Sequence, residues 1–327
     1  RDVERSRGLG DVYKRQGLDF SLFNRRLSGR MDYFSRKIED AIYSGIPVAS
    51  PPAVYATSTV NIGDITNKGF EFELNGRVVD TKDWTFDTSL VGSFVGKSRL
   101  EGMAKDTHME FQAMPHGGGS AVRIFGGQEI GRYFLYRFAG VREEDGTPMI
   151  YSKDNKVIPY ASGTDEDRVQ TGNGLPKAVL SWNNTVRYRN WDLNLFFRSW
   201  LGQDVYNVTD MIQGVNCKIT EGQNLLRTAY RRNKAITNTD RLMLLDYWLE
   251  KGDFLKLDAV TLGYTLPKHI SRHIGMEKGS VRVYLSIDNV ATITGYSGTD
   301  PEVGNYGLDS GIYPTSRFFN FGVNINF

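Results

Sequence analysis

From Gly17 onward the chain alternates between apolar and polar residues with a period of two. That is the mark of extended strands with one apolar face. The last stretch is the plainest. Phe319, Phe321, Val323, Ile325 and Phe327 fall on one side, and Asn320, Gly322, Asn324 and Asn326 on the other. Phe70, Phe72, Leu74, Gly76 and Val78 likewise oppose Glu71, Glu73, Asn75 and Arg77. The same alternation predicts strands over residues 18–22, 27–33, 84–94, 178–188, 191–197, 255–266 and 281–287, which makes nine in all. Within 255–266 the phase slips: Leu255, Leu257 and Ala259 give way to Val260, Leu262, Tyr264 and Leu266. One extra residue in a strand does this, so a β-bulge is predicted there.

The connections carry the next inference. Tight turns are predicted at Asn24-Arg25, at 80–83 and at Asn190, with a medium one over 267–278. Long connections fall at 46–65, 104–176, 208–252 and 296–315. The first of these is rich in proline and reads as a loop. The second should hold a hairpin, 133–141 with 148–152 turned at 143–146, and the third a helical piece around 224–232. If the final strand runs toward the periplasm, every long connection lies outside and every tight turn inside, as in outer-membrane barrels. A soluble β-sandwich has no reason to sort its loops in this way. The expected fold is therefore all-β: the C-terminal nine or so antiparallel strands of a large transmembrane β-barrel with long extracellular loops. Such barrels have an even number of strands and no free edge. Nine strands fit the last two-fifths or so of the plugged class of about 22 strands.

Composition narrows the alternatives. A net charge of +2 over 327 residues offers no basic field for nucleic acid. No apolar run approaches the ~18 residues of a membrane-spanning helix. The aromatics, with 18 Phe, 17 Tyr and 5 Trp, suit a barrel with interfacial girdles. Cys217 is the single cysteine, which excludes an internal disulfide and any multi-cysteine metal site. Residues 1–16 are basic, lack the apolar core of a secretory signal and resemble translated sequencing-adaptor sequence. They are expected to lie outside the native barrel, which would then run over 17–327 as the later part of a longer protein.

Several motifs resemble the C-terminal half of SusC/RagA-type receptors, the TonB-linked outer-membrane proteins of Bacteroidota. They are Asn67-Lys68-Gly69-Phe70-Glu71, then Gly252-Asp253-Phe254-Leu255-Lys256-Leu257 with Leu262-Gly263-Tyr264-Thr265-Leu266-Pro267. Asp288-Asn289-Val290, Gly295 through Val303, and Gly311-Ile312-Tyr313-Pro314 follow in family order. The resemblance implies TonB-dependent import of large nutrients, glycans or peptides, together with a SusD-like surface lipoprotein. Outer-membrane lipid and the barrel-assembly machinery are the further implied partners, and TonB would act through a plug that these residues do not include. The resemblance also assigns Phe319, Phe321, Val323, Ile325 and Phe327 to the C-terminal assembly signal. A passive porin and a secreted β-rich carbohydrate-binding protein are the competing readings.

Candidate contact residues for substrate or lipoprotein are Tyr296, Asp300, Glu302, Tyr306, Asp309 and Tyr313, because carboxylates and aromatic faces together suit sugar recognition. The same residues also fit a loop folded on itself, with Asp300-Pro301 opening a turn. Trp84, Trp182, Tyr188 and Trp191 read as interfacial girdle. Arg30, Arg77, Arg187, Arg198 and Arg282 alternate with apolar residues and should line the lumen. His269 and His273 supply only two ligands, so no metal site is expected. Neither a Ser/His/Asp set nor a close carboxylate pair stands out, so the protein reads as no enzyme, and no cofactor is expected.

Overall fold

The computed structural model describes residues 10–47, 57–103, 108–114, 119–216, 224–237, 243–273 and 279–326. It opens with four strands joined as hairpins: β1 (Gly10–Leu22), β2 (Leu27–Pro47), β3 (Thr57–Asp80) and β4 (Trp84–Val95). A first insertion carries β5 (Arg99–Glu101), β6 (His108–Ala113), β7 (Ser120–Phe125), β8 (Tyr133–Val141), β9 (Pro148–Tyr151), β10 (Val157–Pro159) and β11 (Arg168–Thr171). The hairpin β12 (Ala178–Tyr188) and β13 (Trp191–Leu201) returns the chain to the main sheet. A second insertion holds β14 (Asp204–Asn207), α1 (Val208–Gln213) and β15 (Leu249–Lys251). Then come β16 (Phe254–Thr265), α2 (Lys268–His273) and β17 (Ser280–Thr294). A third insertion with β18 (Leu308–Asp309) precedes β19 (Phe318–Asn326).

The main sheet runs β1-β2-β3-β4-β12-β13-β16-β17-β19, nine strands in chain order and antiparallel throughout, with β5 attached to β3. Register explains why the apolar residues recur at every second position. Val79, Phe86, Val186, Leu193, Leu262, Leu285 and Phe321 are successive cross-strand partners from β3 to β19. One unbroken apolar row thus crosses the sheet. Below it, toward the short turns, Trp84, Tyr188, Trp191 and Tyr264 form a second row, with ring centroids 4.3 Å apart for Trp84–Tyr188 and 4.6 Å for Trp191–Tyr264. Phe319 and Phe321 stand 67% and 76% exposed, which is the face a lipid bilayer covers. Phe327 lies outside the described residues.

The opposite face is polar. Thr185, Asn194, Thr261, Ser286 and Asn320 make one such row. Ion pairs cross it: Arg77 and Arg187 share Asp87, and Arg282 meets Asp192. Arg282 reaches Asp192 across β16 because Gly263 lies between them, and a Cβ there would collide with the guanidinium.

Three expectations need correcting. Residues 57–65, expected within a loop, belong to β3 and pair with β2 up to Pro47↔Thr57. The hairpin rises past the apolar belt, where nothing enforces alternation, and its pairing is broken by register shifts at Ile38/Ala41, Ala41/Ile42 and Ser44/Ile46. Trp182, expected in the girdle, lies six residues up the strand from Tyr188, roughly 20 Å along it. It pairs with Leu90 and stacks on Phe197 instead. The helical piece expected over 224–232 is a short 3-10 turn at Arg227–Tyr230, while α1 went unforeseen. The predicted bulge is present, one residue before the slip after Ala259: against β13 the register shifts between Leu257 and Ala259, leaving Asp258 as the extra residue. β1 takes in Gly10–Gln16, which the sequence reading sets apart from the barrel.

Phe72 stacks between Phe70 and Phe94, and Gly92 leaves the room its ring needs. Phe72→Arg should cost roughly 2–4 kcal/mol in the bilayer. Asn75→Arg, on the polar face, should stay within about 0.5 kcal/mol of the parent. Urea unfolding of the full-length protein in lipid vesicles measures both, and equal values would mean the faces are reversed.

Candidate functional site

Beyond the barrel strands the three insertions fold together, and the principal hydrophobic core lies in them. Tyr133, Leu135 and Ile150 come from the first, Tyr206, Val208, Met211 and Trp248 from the second, and Leu308 from the third. Among the described residues the barrel strands add only Ala41, Ala178, Phe254 and Val281 to the buried hydrophobic set. This follows from their setting, since one face meets lipid and the other meets the lumen.

Backbone pairing and side-chain bonds stitch the insertions to one another. β14 pairs antiparallel with β15 and parallel with β18, so Tyr206 faces Leu308 in register. The buried Tyr133 hydroxyl donates to the Tyr306 carbonyl at 2.7 Å, with the Asp204 carbonyl at 3.1 Å. Burial pushes the Tyr133 phenol well above its usual range, so it stays a donor. The Phe138 amide donates to Asp246 (2.8 Å), and the Tyr136 amide to the Leu244 carbonyl (2.8 Å). In the second insertion Asn207 caps α1 by accepting from the Asp210 amide. Buried Asp210 then receives Arg232 and Asn233.

The six candidates of the third insertion take unequal roles. Buried Tyr296 donates to Asp309 at 2.6 Å; burial and that carboxylate both raise its phenol. Asp309 also accepts from the Gly311 amide. Asp300 is buried against Lys256 (3.0 Å) and accepts from the Glu302 amide. Glu302 takes a bidentate hold on Arg198, at 2.5 and 2.9 Å, and reaches Lys256 at 2.7 Å. Tyr306 is half-buried and offers its carbonyl to Tyr133. Tyr313, 87% exposed, is the one of the six that stands free in solvent. Four of the candidates are thus spent on holding the loop.

The sequence placed Arg198 on the lumen face without a partner, and it did not single out Lys256 or Asp258. Arg198 and Lys256 are register partners on β13 and β16. The bulge aims Asp258 at Arg198 as well, and the two are in close contact. The phase slip at 257–260 was the available signal for Asp258; nothing local marks Lys256. Elsewhere, His273 Nδ1 sits 2.8 Å from the His269 carbonyl, and no group of three metal-ligating side chains converges among the described residues. Cys217 lies outside those residues.

Comparison with known proteins settles the family. The family model described as TonB dependent receptor-like, beta-barrel matches residues 16–290, and the chain belongs to that family. It is 28% identical to TonB-dependent receptor P3 of Formosa agariphila, over 95% of this chain and 33% of that protein. It is 26% identical to TonB-dependent receptor SusC of Bacteroides thetaiotaomicron, over 95% of this chain and 31% of the relative. In structure it is similar to the RagAB peptide transporter, with a TM-score of 0.78 and 19% identity over 98% of this chain and 35% of that one. The chain spans about a third of the length of the relatives it matches. The nine strands are accordingly part of an integral outer-membrane β-barrel of a Gram-negative bacterium, in a family of transporters rather than enzymes.

Two measurements probe the stitching. Tyr133→Phe removes the hydroxyl that bonds the Tyr306 and Asp204 carbonyls and should cost about 0.5–1.5 kcal/mol. The loss should appear as faster proteolysis within 296–317 while the barrel strands stay protected. Glu302 adds a pH dependence. Burial alone would raise its carboxyl, but the bonds to Arg198 and Lys256 outweigh this and hold it below the usual range. A depressed folded-state value means the anchoring is complete above the ordinary glutamate pKa of about 4.3 and is lost as pH falls through the lower value. The protection factors for hydrogen exchange at Val303 and Gly307 should therefore fall only on acidification below about 4. Protection factors that do not vary with pH there would remove Glu302 from the anchoring.

Proposed function

We propose that this chain is the barrel wall and outer vestibule of a TonB-dependent importer of large nutrients, glycans or peptides, working with a SusD-like surface lipoprotein. The observation that carries the reading is the asymmetry of the sheet's two ends. One end has three turns of two to four residues and one medium connection that carries α2, and the other carries three insertions packed into one body with its own core. A passive pore has no need of so large a structure over its mouth, whereas capture of a bulky solute and docking of a lipoprotein both use one. Likeness to SusC and to a peptide transporter supports the same class without choosing between sugar and peptide cargo. Tyr313 is the open contact residue of the third insertion. The role of Phe319, Phe321, Val323, Ile325 and Phe327 is recognition by the barrel-assembly machinery. TonB would act through the plug, in the two thirds of the relatives' length that this chain does not span.

The test is uptake of labelled oligosaccharide and oligopeptide pools by cells carrying the full-length gene, with and without TonB. Import that needs both TonB and the neighbouring lipoprotein gene supports the reading. Uptake that persists without TonB would instead make the protein a passive porin. A folded full-length product that stays in the aqueous phase without detergent would leave the secreted carbohydrate-binding reading.

A further inference from the structure

Elsewhere on the polar face the wall pairs its own charges, between strands or along one: Asp87 serves Arg77 and Arg187, Asp192 serves Arg282, and Asp32 serves Arg30. At Arg198 and Lys256 the arrangement differs. Two cations lie side by side on adjacent strands, and the wall supplies a single carboxylate of its own, Asp258. The other two carboxylates, Asp300 and Glu302, come from the third insertion, 44 residues beyond Lys256 and 104 beyond Arg198. Without the loop the wall pair carries a net charge of +1, two cations against one carboxylate.

Glu302 grips Arg198 through both oxygens, the planar fork by which a guanidinium takes any free carboxylate. The Glu302 side chain is 24% exposed, and a cavity of about 180 Å³ lined by Lys256, Asp258, Asp300, Thr299, Thr315 and Arg317 opens on the Lys256 side of the cluster. The loop's far end is held by lighter bonds. Arg317 donates to the Val290 carbonyl (2.7 Å) and Asn289 to the Ser316 carbonyl (2.7 Å), both at exposed positions.

We propose that Arg198 and Lys256 form an anion-binding site on the lumen wall, and that Glu302 and Asp300 occupy it as an internal stand-in for a carboxylate-bearing solute. With the loop seated three carboxylates face the two cations; once it departs, a solute carboxylate in the place of Glu302 brings the wall pair from +1 to neutral. Anion capture and loop release are thereby coupled, because either alone leaves charges uncompensated. The cargo this favours is an acidic one, a uronic-acid glycan or a peptide with free carboxylates. The proposal rests on the import reading for its purpose, but its physical content is the exchange itself.

The experiment uses the full-length protein in detergent, with Cys217→Ser as background and a spin label at Tyr313→Cys. Succinate is the probe and succinamide its neutral control. In the parent, the label should loosen with succinate and not with succinamide. In D300N/E302Q it should be loose from the start, with succinate bound at least tenfold tighter in calorimetry because the competitor is gone. Lys256→Met should abolish the succinate response. Heat-modifiable mobility on gels selects variants that have assembled; if the double variant does not, E302Q alone should give the same two changes at smaller size. A label in the assembled carboxamide variants as fixed as in the parent, or equal responses to the two probes, would overturn the proposal. Loss of TonB-dependent uptake with the succinate response intact would strike the import reading and leave the exchange standing.

Discussion

Inside a bilayer a backbone amide has no water to turn to, so every N–H and C=O must be paired by the protein itself. An antiparallel sheet meets this demand only if each strand keeps its register over its whole membrane length. Keeping register in turn fixes which side chains meet lipid. The apolar row from Val79 to Phe321 and the aromatic row from Trp84 to Tyr264 are results of that constraint. The glycines answer to it as well. Gly92 makes room for Phe72 on the lipid side, and Gly263 lets Arg282 cross a strand on the lumen side.

The membrane part is therefore a wall without a core, and burial of apolar surface is displaced to the insertions. There the ordinary rules of a water-soluble domain return. Tyr133, Tyr206 and Trp248 are wholly buried, the Tyr133 hydroxyl is bonded, and the short helix has its cap. The two regimes meet at Arg198 and Lys256, on the wall but satisfied by the loop. A change at this junction is felt on both sides.

The strands of the wall were legible in the sequence because lipid and lumen impose opposite preferences on neighbouring residues. Nine strands, the tight turns and the bulge at Asp258 could be read from that alternation. Where the demand ends, legibility ends too. Residues 57–65 of β3 stand clear of the apolar belt and read as loop, although they are paired with β2. The partners of Glu302 and Asp309 were beyond reach for a different reason. A carboxylate in a loop looks the same in sequence whether it meets solvent, a ligand, or a cation 104 residues away. The motif order from Asn67 to Pro314 identified the family, but it carries no information on which side chains are spent internally.

The parallel pairing of β14 with β18 bears on how the molecule is made. Tyr206 and Leu308 are in register, yet two barrel strands and most of the second insertion lie between them in the chain. No hairpin can bring them together, and contacts of such long sequence separation form late and slowly. The outer body therefore cannot close as each insertion emerges. It must wait until β16 and β17 stand side by side in the sheet and hold the third insertion over the first two. Assembly of the wall comes first, and the outer body is finished on top of it, from pieces that have already crossed the membrane separately.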